Sequence, residues 1–151
     1  MLKRSISQTL AVLAISLLLT YANAAAQGMS EKSLYHRIGG YDALAAVVDD
    51  FLGRLVSDKR LEKFFVGHSE DSTKQIRQLI VDQFCNATGG PCVYTGRDMK
   101  TSHKGLGISE PDWDAAAKHL VASLDKFKVP EKEKAEVVSF VMSLKKDIVE
   151  K

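Results

Sequence analysis

The stretch Tyr94-Thr-Gly-Arg-Asp-Met-Lys-Thr-Ser-His-Lys-Gly-Leu-Gly-Ile108 decides how this chain is read. It is a short helical run between two glycine-rich breaks, and it carries His103. Met99 and His103 are four residues apart and share a helix face. Leu106 and Ile108 follow on an apolar turn broken by glycine. A lone imidazole on a helical chain is ordinarily a surface side chain. It is also the one protein bond that an iron porphyrin needs. Spacing alone leaves two readings open: a flat apolar cofactor tethered through His103, or a plain bundle whose apolar stripes are all core.

Outward from that stretch the hydrophobic period is helical. Tyr41 to Val56 places Leu44, Val47, Val48, Phe51, Leu52 and Leu55 on one side, and Ser72 to Thr88 does the same with Ile76, Leu79, Ile80, Phe84 and Ala87. Asp112 to Phe127 carries Trp113, Ala116, Leu120 and Leu124, and Glu131 to Val149 carries Val137, Val141, Leu144 and Ile148. Gly39-Gly40 ends a short first helix, and Gly89-Gly90-Pro91 ends the third long pattern. Ser109, with Asp112 three residues on, imitates a capping box. Pro130 suits the first turn of the last helix. No strand pattern competes. The expectation is one all-α domain over about residues 30–151.

Residues 1–24 read differently. Lys3 and Arg4 precede the apolar run Leu10 to Tyr21, and Ala22-Asn23-Ala24 fits a small-x-small cleavage site. This predicts a secretory signal peptide cut after Ala24 or after Ala26, and hence export, to a periplasm. The alternative is an uncleaved membrane anchor. The net charge of +2 comes from Lys3 and Arg4, because no acidic residue precedes Glu31. The mature chain is formally neutral and has no basic stripe for nucleic acid. It is expected to leave the membrane after cleavage and to be a monomer.

Cys85 and Cys92 flank the Gly89-Gly90-Pro91 turn. An oxidising compartment would let them pair, but spacing does not set the Cα distance a disulfide needs. There is no C-x-x-C-H run, so a thioether-linked haem is not expected. His36, His68 and His119 lie apart from one another, and no carboxylate–histidine cluster has metal spacing, which disfavours zinc. No nucleophile has an identifiable paired base.

Several pieces occur in one order: Leu34-Tyr-His-Arg-Ile-Gly-Gly40, Val48-Asp-Asp-Phe51, Phe64-Phe65, Thr88-Gly-Gly-Pro-Cys-Val-Tyr-Thr-Gly-Arg-Asp-Met99, His103-Lys-Gly-Leu-Gly-Ile108 and Val129-Pro130. In this combination the chain resembles the first group of truncated haemoglobins, small globins with a two-over-two helical sandwich around haem. The resemblance runs from about Leu34 to Ile148. It implies non-covalent haem b, with His103 as the proximal iron ligand. It implies that Phe65, Phe84, Met99 and Ile108 line the haem, with Trp113, Ala116 and Leu120 beneath it. Arg97, Lys100 and Lys104 lie near enough in sequence to meet a propionate, or are simply solvated.

The resemblance departs on the opposite face. The family usually sets a tyrosine over the iron, beside a glutamine or similar group. Here the position after Phe51 is Leu52, and the positions facing it, counted back from Gly89-Gly90, are Ile76, Leu79 and Ile80. All are apolar. A slip of one or two residues would bring Gln75, Arg77 or Gln78 inward instead. A hydrogen bond to dioxygen contributes about 0.5–1.5 kcal/mol, so an apolar wall predicts faster oxygen release. The implied function is reversible binding of dioxygen, nitric oxide or carbon monoxide. A nitric oxide dioxygenase with a redox partner is the enzymatic alternative, and a helical binding module without haem is the third reading.

Overall fold

The structure, a computed structural model, describes residues 32–151, so the signal-peptide prediction lies outside the described residues. Within them the chain forms α1 (Leu34–Arg37), α2 (Gly40–Ser57), a 3-10 turn (Glu62–Phe64), α3 (Glu70–Ala87), α4 (Met99–His103), α5 (Glu110–Lys126), α6 (Glu131–Ser143) and α7 (Lys145–Ile148). No strand forms among the described residues. Most of the expected apolar stripes become the core, but Ala87 is exposed and Leu52 and Ile76 line an open pocket instead. Leu44 and Val47 of α2 meet Phe84 and Cys85 of α3, Leu120 and Leu124 of α5, and Val137 of α6. Helix α2 packs on both α3 and α5, α5 packs on α6, and the short α4 rests against α7. A second cluster joins Ile108, Trp113 and Ile148, with Phe64, Met99, Val141 and Leu144 against it. A narrow apolar cavity of about 110 Å³ lies in the main core, bordered by Leu44, Phe51, Phe84, Leu120 and Val137.

Three boundaries differ from expectation. Helix α3 starts at Glu70, ahead of Ser72, because the Ser69 hydroxyl accepts the Ser72 N–H at 3.2 Å and caps it. The last predicted helix is two: the Leu144 N–H bonds to the Val141 carbonyl three residues back at 3.0 Å, a tightening that interrupts the ladder. Pro130 is the N-cap residue of α6 and precedes its first turn. The Ser109–Asp112 capping box forms as expected.

The crossing of α2 and α5 is held by Asp50. Its carboxylate accepts from Ser123 Oγ at 2.8 Å, from Arg54 Nε at 2.6 Å and from Lys126 Nζ. These donors, Lys126 foremost, hold the Asp50 carboxyl far below the usual carboxylate range. A depressed folded-state value contributes stability above the unfolded value of about 3.9, and that contribution is lost as pH falls further. Asp50→Asn is therefore expected to lower the melting temperature at neutral pH. Melts taken at successively lower pH should show the gap to the wild type closing below about pH 4. A gap that persisted in acid would remove the carboxylate from the explanation.

The disulfide Cys85–Cys92, with Cα atoms 5.7 Å apart, draws the turn after α3 onto the helix end. Gly90 makes this approach sterically allowed. A Cβ there would lie 2.7 Å from Cys85 Sγ, 2.6 Å from Tyr35 Cδ2 and 2.9 Å from the Cys85 carbonyl oxygen. Two of those neighbours cannot retreat, one being backbone and the other a bridged sulfur. Gly90→Ala is expected to destabilise the fold by about 1–3 kcal/mol, as overpacking does. Urea unfolding would measure it, and an unchanged midpoint would contradict the contact.

Candidate functional site

The site is built around α4, which has only five residues and is fixed from outside. At its start Asp98 is the N-cap: Oδ1 accepts the Thr101 N–H at 2.8 Å and Oδ2 accepts the Thr101 hydroxyl at 2.8 Å. These bonds, the backbone one first, hold the Asp98 carboxyl below its ordinary range. Just upstream the Tyr94 hydroxyl donates to the Arg97 carbonyl at 2.6 Å. The Tyr94 ring lies over Gly96, where a Cβ would come within 2.5 Å of Cζ. The Tyr-x-Gly spacing thus has a steric cause. Past the end of α4, Gly105 and Gly107 take φ of +83° and +65°, which glycine adopts without strain.

His103 closes α4 and is half-buried. Its Nδ1 lies 2.8 Å from the Met99 carbonyl oxygen, one turn back. A carbonyl can only accept, so Nδ1 carries a proton, and in the neutral ring the lone pair lies on Nε2. No hydrogen bond engages Nε2 among the described residues. An imidazole held this way, with its second nitrogen on a backbone carbonyl, is the arrangement of a metal ligand.

All but two of the expected apolar site residues fall into three groups. Met99, Ile108 and Trp113 share the second cluster with Phe64. Leu52, Phe65 and Ile76 line an open pocket of about 570 Å³, rimmed by Asp49, Lys74, Arg77 and Gln78. Phe51, Ile80, Phe84 and Leu120 belong to the main core, where Phe140 meets Phe84 edge-on at 5.8 Å. Leu79 and Ala116 are half-buried and belong to neither cluster. Of the polar neighbours of Ile76, Gln75 is exposed, and Arg77 and Gln78 are occupied at the rim. Arg77 makes paired bonds to Asp49 at 2.7 and 2.9 Å, which pull that carboxyl below its ordinary range. The Gln78 amide donates to the Tyr41 hydroxyl and to Asp82, both at 2.9 Å.

The donor set fits a cofactor that brings most of its own coordination. No group of three metal-binding side chains exists among the described residues. One imidazole cannot by itself hold a bare ion against water, but it suffices for an iron already bound in a porphyrin. The buried Trp113 Nε1–H, beside Met99 and Ile108, has no hydrogen-bond partner among the described residues. It is a polar atom that the protein alone leaves unsatisfied.

The other histidines have structural partners or face solvent. His36 Nδ1 lies 2.7 Å from Ser33 Oγ, and His119 Nε2 lies 2.7 Å from Asp58 Oδ2. The His119 bond leads the causes that lower the Asp58 carboxyl. His68 is exposed, as expected of a solvated loop. Arg97, Lys100 and Lys104 are exposed around α4. Two residues escaped the sequence reading. Asp98, three before Thr101, carried a legible N-cap signal. Glu150, whose carboxylate takes N–H groups from Gly105 and Gly107, lies 45 residues from the first of them and carried none.

Two packed helical pairs, α2 with α3 and α5 with α6, with a carbonyl-held histidine on a short helix beside them, point to a class: the small two-over-two globins. A family model of the bacterial-like globins matches residues 33–150. A group 1 truncated hemoglobin of Mycolicibacterium paratuberculosis is 36% identical over 116 residues, covering 77% of this chain and 83% of that protein. Another, from Nostoc commune, is 40% identical over 88 residues, covering 58% of this chain and 72% of that one. Among solved structures, the truncated hemoglobin of Tetrahymena pyriformis in its Fe(III) form gives a TM-score of 0.71 at 28% identity, covering 80% of this chain and all of that one. The 2/2 hemoglobin of a Synechococcus species, solved in the cyanomet state with covalently attached heme, gives 0.71 at 30% identity, covering 78% and 98%. The chain belongs to the bacterial-like globin family and, within it, to the group 1 truncated haemoglobins. Membership implies a haem cofactor.

Proposed function

We propose that this chain is an exported globin that binds haem b non-covalently through His103 Nε2 and takes up diatomic gases reversibly. The observation that carries the reading is the 2.8 Å contact from His103 Nδ1 to the Met99 carbonyl, which sets the tautomer and ring direction. Haem would supply an iron with one position open to dioxygen, nitric oxide or carbon monoxide. The residues of the chain decide the remainder. Met99, Ile108 and Trp113 offer an apolar wall on the side of α4. Leu52, Phe65 and Ile76 offer the opposite one, and the polar residues beside Ile76 are tied to Asp49, Tyr41 and Asp82. Those ties support a ligand face without a hydrogen-bond donor. With the charged groups at the rim paired, Arg77 with Asp49 and Lys74 with Glu70, a carrier or scavenger fits better than a peroxide-cleaving enzyme.

The cysteines, which bond each other, leave no thiol for a thioether to haem. The same disulfide supports an oxidising compartment, a periplasm in this reading. The protein acts there as a monomer, with a redox partner returning its iron to the ferrous state. Absorption spectra of the ferric, ferrous, oxygenated and carbonyl forms test the proposal together. A Soret band in every form is expected, with an oxygenated form that decays quickly. A folded, colourless protein that takes up no haemin would leave only a helical binding module. Rapid conversion to ferric haem on mixing the oxygenated form with nitric oxide would favour the dioxygenase.

A further inference from the structure

The loop that follows His103 is gripped from one side by a single carboxylate. Glu150 Oε1 accepts the Gly105 N–H at 2.7 Å, and Oε2 accepts the Gly107 N–H at 2.6 Å. These donors stand two and four residues beyond the histidine, on the two glycines with positive φ. The backbone of the same segment completes the grip. The Glu150 N–H donates to the Ile108 carbonyl at 2.9 Å, and the Lys151 carbonyl accepts the Glu110 N–H at 3.2 Å. The preceding α7 rests on α4, and its Ile148 shares a cluster with Met99 and Ile108. A five-residue helix has little rigidity of its own. Asp98 pins its beginning; its end has only the Leu106 N–H on the His103 carbonyl at 3.2 Å before Lys104 leaves the helical conformation.

We propose that Glu150 is a positioning residue for the iron ligand: by holding Gly105 and Gly107 it fixes the segment that carries His103, so that the ring direction set by the Met99 carbonyl is kept, and with it the strength of the bond that histidine makes to haem iron. The inference rests on His103 being that ligand. A charged acceptor taking one N–H on each oxygen is stronger than two neutral contacts, and both donors belong to residues free to twist if released. A staple serving stability alone would lower the melting temperature and leave the iron–histidine bond as it was.

The test uses haem-loaded protein carrying Glu150→Ala or Glu150→Gln. The readouts are the ferrous iron–histidine stretching band by resonance Raman and the rate of haem transfer to apomyoglobin. In the alanine variant the band is expected to shift and broaden, and haem loss to quicken by about ten-fold, the scale of losing one charge-assisted hydrogen bond. Glutamine keeps one acceptor oxygen and should fall between; it alone carries the test if the alanine variant does not fold. An unmoved band with unchanged haem loss overturns the proposal, whatever the melting temperature does. A wild-type iron–histidine band that survives His103→Ala, or is never present, instead overturns the ligand assignment, so the two failures are distinct.

Discussion

His103→Ala is expected to abolish stable haem binding, lowering the Soret absorbance of purified protein to the level of non-specific adsorption. Only this imidazole has one nitrogen on a backbone carbonyl and the other without a partner. His36 and His119 are engaged with Ser33 and Asp58, and His68 is exposed in a loop. No neighbouring cysteine or carboxylate cluster can replace it among the described residues. The fold itself should survive, because the substitution removes one hydrogen bond from a half-buried side chain, a cost of about 1 kcal/mol. Helical circular dichroism should therefore be retained while the visible spectrum is lost. Imidazole added to the solution should restore part of the Soret band by filling the vacated space. An unchanged spectrum in the variant would show that the iron is held elsewhere.

The second large effect is expected from Leu52→Tyr. Leu52 faces the same open pocket as Phe65 and Ile76. A phenol there puts a hydroxyl donor beside the hydrocarbon of Phe65 and Ile76. A hydrogen bond to a partly charged acceptor contributes about 0.5–3 kcal/mol, which corresponds to roughly 2- to 150-fold slower dioxygen release. Carbon monoxide is a poor acceptor and its release should change far less. Stopped-flow displacement of dioxygen by carbon monoxide reads both. Equal slowing of both ligands would point to a steric gate, and no slowing would place Leu52 away from the iron. Gln78→Leu serves as the control, since that amide is engaged with Tyr41 and Asp82 and should leave the rates alone.

Much of the architecture was legible because it is local. Helical stripes such as Leu44-Val47-Phe51 and Ile76-Ile80-Phe84 repeat at the period of the structure they form. The Ser109–Asp112 box is a contact across three residues. The bond that orients His103 is equally local, since its acceptor lies one helical turn behind. What escaped is either local without a residue type that announces it, or dependent on a distant partner. The interruption at Leu144 has no glycine or proline to announce it, and the apolar period runs straight through. Tyr94 over Gly96 is close in sequence, yet nothing in the residue types says that the ring folds back. The bridge between Cys85 and Cys92 turned on a Cα separation set by the path of the whole turn. Glu150 lies in a different part of the chain from the loop it holds, so only the packing of α7 on α4 brings them together.

Cys85 is fully buried, one residue from Phe84 and directly against Gly90. The same polypeptide made in a reducing cytoplasm would carry two thiols there, with a polarisable S–H in the core and the following turn held only by hydrogen bonds, from the Gly90 N–H to the Cys85 carbonyl and from the Asn86 amide to the Cys92 carbonyl. Such a preparation is a different molecule from the oxidised one in its stability, its proteolytic resistance and the setting of its third helix. The cellular address to which the chain is delivered is thus part of its covalent definition. Measurements on material from the two compartments should not be averaged as if they described one protein.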